Sequence, residues 1–171
     1  MRRGATVFCL GLWVMGTVCV SVVATQNFYT IDRLLADAPQ PRFDEVVEQV
    51  GDDVARNFLR YLSSELNRLF FQYWNYAQFL IGGVAIWLVL GLPDGARLKW
   101  SLGVMLAILV VLTFVVTPPI ISVGRGLDFV PRDPPPTSLA TFGILHGAYT
   151  SLEMIKAAIG LWVGYRLSRT V

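Results

Sequence analysis

Charge is scarce in this chain. Charged residues make up 15% of it against 54% hydrophobic, whereas a soluble domain carries about 25% charged residues. The deficit leaves too little polar surface to cover a globule in water, which argues against a soluble Rossmann or TIM-type enzyme. Lysine is nearly missing, occurring only as Lys99 and Lys156, and the other cations are arginines. The net charge is +2 with no clustered basic patch, so nucleic acid is excluded as a partner. Histidine occurs once, as His146, which rules out bis-histidine haem ligation within one chain. Cysteine occurs twice, as Cys9 and Cys19. Ten residues of helix put these about 15 Å apart, too far for a disulfide. No P-loop, Gly-rich dinucleotide loop or HExxH motif is present. The chain therefore reads as a non-enzyme, with no catalytic residue, no cofactor and no metal-ligand set.

What is present suits lipid. The 15 glycines, 5 tryptophans and 10 phenylalanines fit helices in a bilayer, where Gly is common and Trp lies at the interfaces. Four apolar runs, about 4–24, 70–92, 100–121 and 138–165, each approach or exceed the ~20 residues that cross a ~30 Å hydrocarbon core. The first follows Arg2 and Arg3 and competes with a signal peptide. Its length exceeds a 7–15-residue signal core, which favours an uncleaved anchor.

Between the first two runs, Thr25–Leu69 has five arginines against eight carboxylates. Within it, Phe43, Val46, Val47, Val50, Val54, Phe58, Leu62, Leu66 and Leu69 recur every three or four residues. That period predicts an amphipathic helix over 43–69, its apolar stripe covered, continuing into the second span. Gly51 is expected to split it, with Asp52 or Asp53 as a cap. Pro93-Asp94-Gly95 predicts a turn, Pro118-Pro119 an end to the third helix, and 124–137 a Pro-rich loop.

The fold class expected is therefore an all-α integral membrane protein. It is a four-helix transmembrane bundle with an extracytoplasmic amphipathic helix. With both termini in the cytoplasm, Arg2, Arg3, Arg97, Lys99, Arg166 and Arg169 all lie inside, as the positive-inside rule asks. The partners expected are the lipid bilayer and either further copies of this chain or other membrane subunits.

Polar residues inside spans are costly and mark candidate functional positions. In the fourth run, His146, Tyr149, Glu153, Lys156 and Gly160 are spaced 3, 4, 3 and 4 apart and share one helical stripe. Glu153 and Lys156, three apart, are placed to pair. Gly143 and Gly147 are expected to admit a neighbouring helix. Asn75 and Gln78 of the second span and Thr117 of the third lie at a matching level. The candidate intramembrane polar site is thus Asn75, Gln78, Thr117, His146, Tyr149, Glu153 and Lys156. His146 reads first as a structural hydrogen bonder, then as a solute or metal contact, and last as a haem ligand.

Three motifs carry a family likeness. They are Leu69-Phe70-Phe71-Gln72-Tyr73-Trp74 opening the second span, Thr117-Pro118-Pro119 closing the third, and Phe142-Gly143-Ile144-Leu145-His146-Gly147 opening the fourth. In this order they resemble the bacterial four-span membrane domain of unknown function related to eukaryotic transmembrane protein 205. The matching positions are Phe70, Tyr73, Pro118, Phe142, His146 and Gly147. The resemblance implies four spans and, through the eukaryotic relative's link to platinum-drug tolerance, export or sequestration. Two functions follow as expectations. One is solute, soft-metal or drug handling at the polar site; the other is service as an accessory or structural subunit of a larger membrane complex.

Overall fold

The structure is a computed structural model and describes residues 1–93 and 95–169, without the side chains of Ala96 and Arg97. Asp94 of the expected turn thus lies outside the described residues. Those described are helical, with no strand. Three helices are long and apolar enough to cross a membrane: Arg2–Ala36, Asp52–Leu90 and Leu98–Arg125.

Helix α1 spans Arg2–Ala36, about 52 Å at 1.5 Å per residue. The change of composition at Thr25 does not break it. Ser21 and Thr25 instead donate their hydroxyls to the carbonyls of Thr17 and Ser21, at 2.8 and 2.9 Å. Bonded to the preceding turn, these hydroxyls leave the helical ladder intact.

Helix α2 is Pro41–Val50 and α3 is Asp52–Leu90. The break falls at Gly51, whose φ of +87° favours glycine. Gly51 itself is the N-cap of α3, with no side-chain cap bond. This corrects the expectation that Asp52 or Asp53 caps it. Both sit in the first turn, where a carboxylate opposes the helix dipole. Gly51→Ala is expected to cost about 1 kcal/mol through the left-handed backbone. Faster amide exchange across α2, with the span of α3 unchanged, checks it.

From Asp52 the helix runs unbroken into the apolar stretch, about 58 Å in all. The outer stripe is not covered. Val47 and Ala55 are buried, but Val46, Val50, Val54, Phe58, Leu62, Leu66 and Leu69 are exposed. The reason is geometric: α1 packs on the opposite face of α3.

Helix α4, Gly95–Val111, passes through a π-helical turn at Leu112–Val116 into α5, Thr117–Arg125. Pro118-Pro119 therefore does not end the third helix, contrary to the sequence reading. The backbone N–H of Thr117 bonds to Leu112 O, five residues back. That wider turn puts the prolines in the first turn of α5, where their missing N–H groups are tolerated. The Pro-rich loop accordingly starts at Gly126, and α6 is Ser138–Ser168.

The packing is an antiparallel α1–α3 pair with α4 and α6 closed over it. Its apolar core is Leu10, Trp13, Ala85, Val89, Leu102, Met105, Leu109, Val163 and Leu167. The α1–α3 register holds from there towards the ends of both helices. Trp13 bonds to Gln78, Thr17 to Trp74, and the Ala24 carbonyl to Asn67. At Gly16 a Cβ would stand 2.0 Å from the Trp74 ring, so only glycine lets α3 approach there. Farther along, Asn27 donates to Asn67 Oδ1 at 2.7 Å and Arg56 pairs with Asp32.

Candidate functional site

Above the apolar core, the long polar side chains of four helical segments meet. Thr117 Oγ1 donates to Leu112 O at 2.7 Å and accepts from Asn75 Nδ2 at 3.3 Å. Asn75 Oδ1 accepts from Tyr149 OH at 3.0 Å and from Gln78 Nε2 at 3.4 Å. Gln78 Oε1 accepts from Trp13 Nε1 at 2.6 Å and from Lys156 Nζ. Lys156 Nζ also donates to Glu153 Oε1 at 2.7 Å and lies 5.9 Å from the centroid of the Trp13 ring. One connected chain of bonds thus ties α1, α3, the π-turn, α5 and α6 together.

The helical period explains the convergence. Asn75, Gln78 and Gly82 fall on one face of α3; Tyr149, Glu153, Lys156 and Gly160 fall on one face of α6. All seven are buried. Lys156 and Asn75 are each 1% exposed and Gln78 is 0% exposed. With donors matched to acceptors the cluster is inexpensive to bury, whereas any member alone would be costly. Among the described residues, the buried oxygens Glu153 Oε2 and Thr113 Oγ1 have no hydrogen-bond partner.

Six of the seven predicted site residues are therefore brought together: Asn75, Gln78, Thr117, Tyr149, Glu153 and Lys156. His146 is not. It is exposed, makes no side-chain hydrogen bond among the described residues, and stacks its ring on Phe142 at 5.9 Å. His146 lies at the edge of the stripe rather than its centre, about 60° of helical rotation from Tyr149. Gly143 and Gly147 correspondingly have nothing within 4 Å of a built Cβ. The close approach expected there occurs instead at Gly160, against Met105 and Val14. Among the other family-motif positions, Phe142 packs over Gly124, where a Cβ would stand 3.2 Å from its ring, Tyr73 and Pro118 are exposed, and Phe70 is half-buried. His146→Ala is expected to shift stability by no more than about 0.5 kcal/mol, as at other exposed positions. Thermal unfolding in detergent checks this.

Trp13 is the member that sequence reasoning missed. Its position was the available signal. A tryptophan near the middle of an apolar run, away from the interface, needs a buried acceptor for its Nε1–H.

A second polar cluster lies where the Pro-rich loop meets the outer part of α3. Arg68, 11% exposed, donates to Glu65 at 2.6 Å and approaches Asp128 Oδ2 at 2.9 Å. Arg125 grips Glu65 with Nε and Nη2 at 3.1 and 3.2 Å. Phe129, with φ of +60°, meets Phe58 edge-on at 6.0 Å and lies tilted against Tyr61 at 5.2 Å.

The chain matches no family model, no curated protein and no solved structure.

Proposed function

We propose that this chain is a four-span accessory or structural subunit of a membrane assembly, with both termini in the cytoplasm of a bacterial inner membrane. The observation that carries the reading is the closed polar cluster. The side chains best suited to handle a solute are spent on one another, locking four helical segments. Meanwhile a long face of α3, from Leu62 to Leu90, is left exposed, with Tyr73, Tyr76, Leu80 and Trp87 along it. Small bundles with a rigid interior and an apolar outer face act through what they pack against.

α6 supplies the fourth span in this reading. It is 31 residues long, enough for a ~30 Å core. Tyr149, Glu153 and Lys156 face inward in its middle, whereas Ile144, Met154, Ile155, Leu161 and Trp162 are exposed. Polar inside and apolar outside suits lipid and reverses the pattern of a helix in water. The resemblance to the transmembrane protein 205-related domain belongs to the same proposal, and it too asks for four spans.

The rival reading, solute or soft-metal export, is favoured by Glu153 Oε2, a buried carboxylate oxygen with no hydrogen-bond partner. Extraction in mild detergent separates the two. Stoichiometric co-purification of another membrane protein or a second copy is expected. A monomer that catalyses solute flux in liposomes would overturn the subunit reading. Reporter fusions at the C-terminus and within 126–137 check the topology; periplasmic activity at the C-terminus would sink it.

A further inference from the structure

The outer cluster borders a shallow, open recess of ≈ 520 Å³, lined by Tyr61, Glu65, Arg125, Asp128 and Phe129. A second recess of ≈ 240 Å³ adjoins it, sharing Glu65 and Arg125 and running past Leu62, Leu66, Leu69 and Gln72. The first recess has charged and aromatic walls, and the second sets three leucines beside Glu65, Arg68, Gln72 and Arg125. The two adjoin where α3 passes from its charged outer part into its apolar stretch.

We propose that these recesses hold a glycerophospholipid with a phosphoethanolamine headgroup. The headgroup occupies the upper recess, and an acyl chain lies along Leu62, Leu66 and Leu69. The inference rests on the membrane reading of α3 and goes beyond the subunit role.

Each part of the headgroup has a complement. Arg125 is 60% exposed and uses only Nε and Nη2 on Glu65. Its remaining face is open to a phosphate, which guanidinium groups bind through paired hydrogen bonds. The rings of Tyr61 and Phe129 offer π-faces to an ammonium. Carboxylates distinguish which ammonium. Glu65, which lines the recess, has an Oε2 that accepts a single hydrogen bond, whereas Asp128 Oδ2 is buried against Arg68. A primary ammonium can donate an N–H group to an oxygen such as Glu65 Oε2, and a quaternary ammonium cannot. The cluster pairs two carboxylates with two guanidiniums, so a zwitterionic headgroup adds no net charge to it. Phe129 supplies a further sign of a built site. A bulky residue at positive φ is held there at a cost in backbone strain, and here the strain turns its ring towards Phe58 and Tyr61.

The test uses the full-length protein in nanodiscs of phosphatidylcholine, with phosphatidylethanolamine or phosphatidylglycerol titrated in. Incorporation is measured first, because a chain that fails to enter the discs overturns the membrane reading rather than the site. Retained lipid is then read by native mass spectrometry. Phosphatidylethanolamine is expected to be retained about tenfold over either other lipid, and Arg125→Gln is expected to remove the preference. Phe129→Gly keeps the experiment decisive should Arg125→Gln fold poorly. Glycine suits the local φ, so the variant should keep the backbone fold of the loop, yet lose most of the preference. Equal retention of the three lipids by the wild type would overturn the proposal. So would displacement of bound phosphatidylethanolamine by micromolar free phosphoethanolamine, which would assign the same chemistry to a soluble ligand instead.

Discussion

Replacing Lys156 alone with methionine is expected to destabilise the protein by about 3–5 kcal/mol. Methionine keeps the length of the side chain but removes the partner of Glu153 Oε1, 2.7 Å away. Glu153 is 7% exposed, so its carboxylate is stranded away from water, and a stranded charge costs more than the pair contributes. Replacing both residues, as Lys156→Met with Glu153→Leu, is expected to return stability to within about 1 kcal/mol of the wild type. The double variant leaves neither charge buried, and Gln78 Oε1 still receives the Trp13 Nε1–H bond. Unfolding of the four proteins in mixed micelles gives the double-mutant cycle. A coupling energy near zero would refute the pair as a unit. The same cycle bears on function, since a double variant that folds but releases its co-purifying subunits would give the pair a role beyond stability.

Trp13→Ala is expected to cost about 3 kcal/mol. The side chain is 1% exposed, and its ring covers Gly82 and faces the Lys156 ammonium. Between helices in lipid the hydrophobic contribution is small, so the loss comes from packing and from the cavity left at the α1–α3–α6 junction. Trp13→Phe isolates the hydrogen bond. It keeps most of the ring and removes Nε1, and it should cost about 1 kcal/mol. A Trp13→Ala protein with wild-type unfolding would show that α1 docks without this anchor. Gly82 sets the complementary limit. A Cβ there would meet Leu106 at 2.6 Å and Trp13 at 2.8 Å, so filling the site from the α3 side should also destabilise.

Much of this architecture was legible because lipid and helix impose strong rules on sequence. The scarcity of charge and the long apolar runs point to membrane helices before any contact is known. The 3-and-4 spacing of Tyr149, Glu153, Lys156 and Gly160 placed a polar face on α6, because side chains so spaced share one side of a helix. The same rule joined Asn75 to Gln78, and glycine's conformational freedom marked the split of the outer segment at Gly51. The errors arose where a local signal was overridden by a neighbour. Pro118-Pro119 reads as a stop, but the π-turn before it moves both prolines to positions that need no N–H. His146 reads as inward-facing, but it sits at the edge of the stripe, beyond the reach of α3.

The sequence by itself determined that the chain is helical, that it carries long apolar runs suited to a membrane, and which polar side chains share a face. Each of these depends on composition or on the helical period, and both are local properties of the chain. Only the tertiary structure decided which faces meet. The α1–α3 register brings Trp13 to Gln78 and Thr17 to Trp74. The fold of 126–137 carries Asp128 and Phe129 back to Arg68 and Tyr61, 60 and 68 residues away in sequence. These partnerships depend on how far helices slide and rotate against one another. That is set by side-chain volumes summed over an interface, such as a glycine beneath a tryptophan, and no periodicity along one segment encodes it.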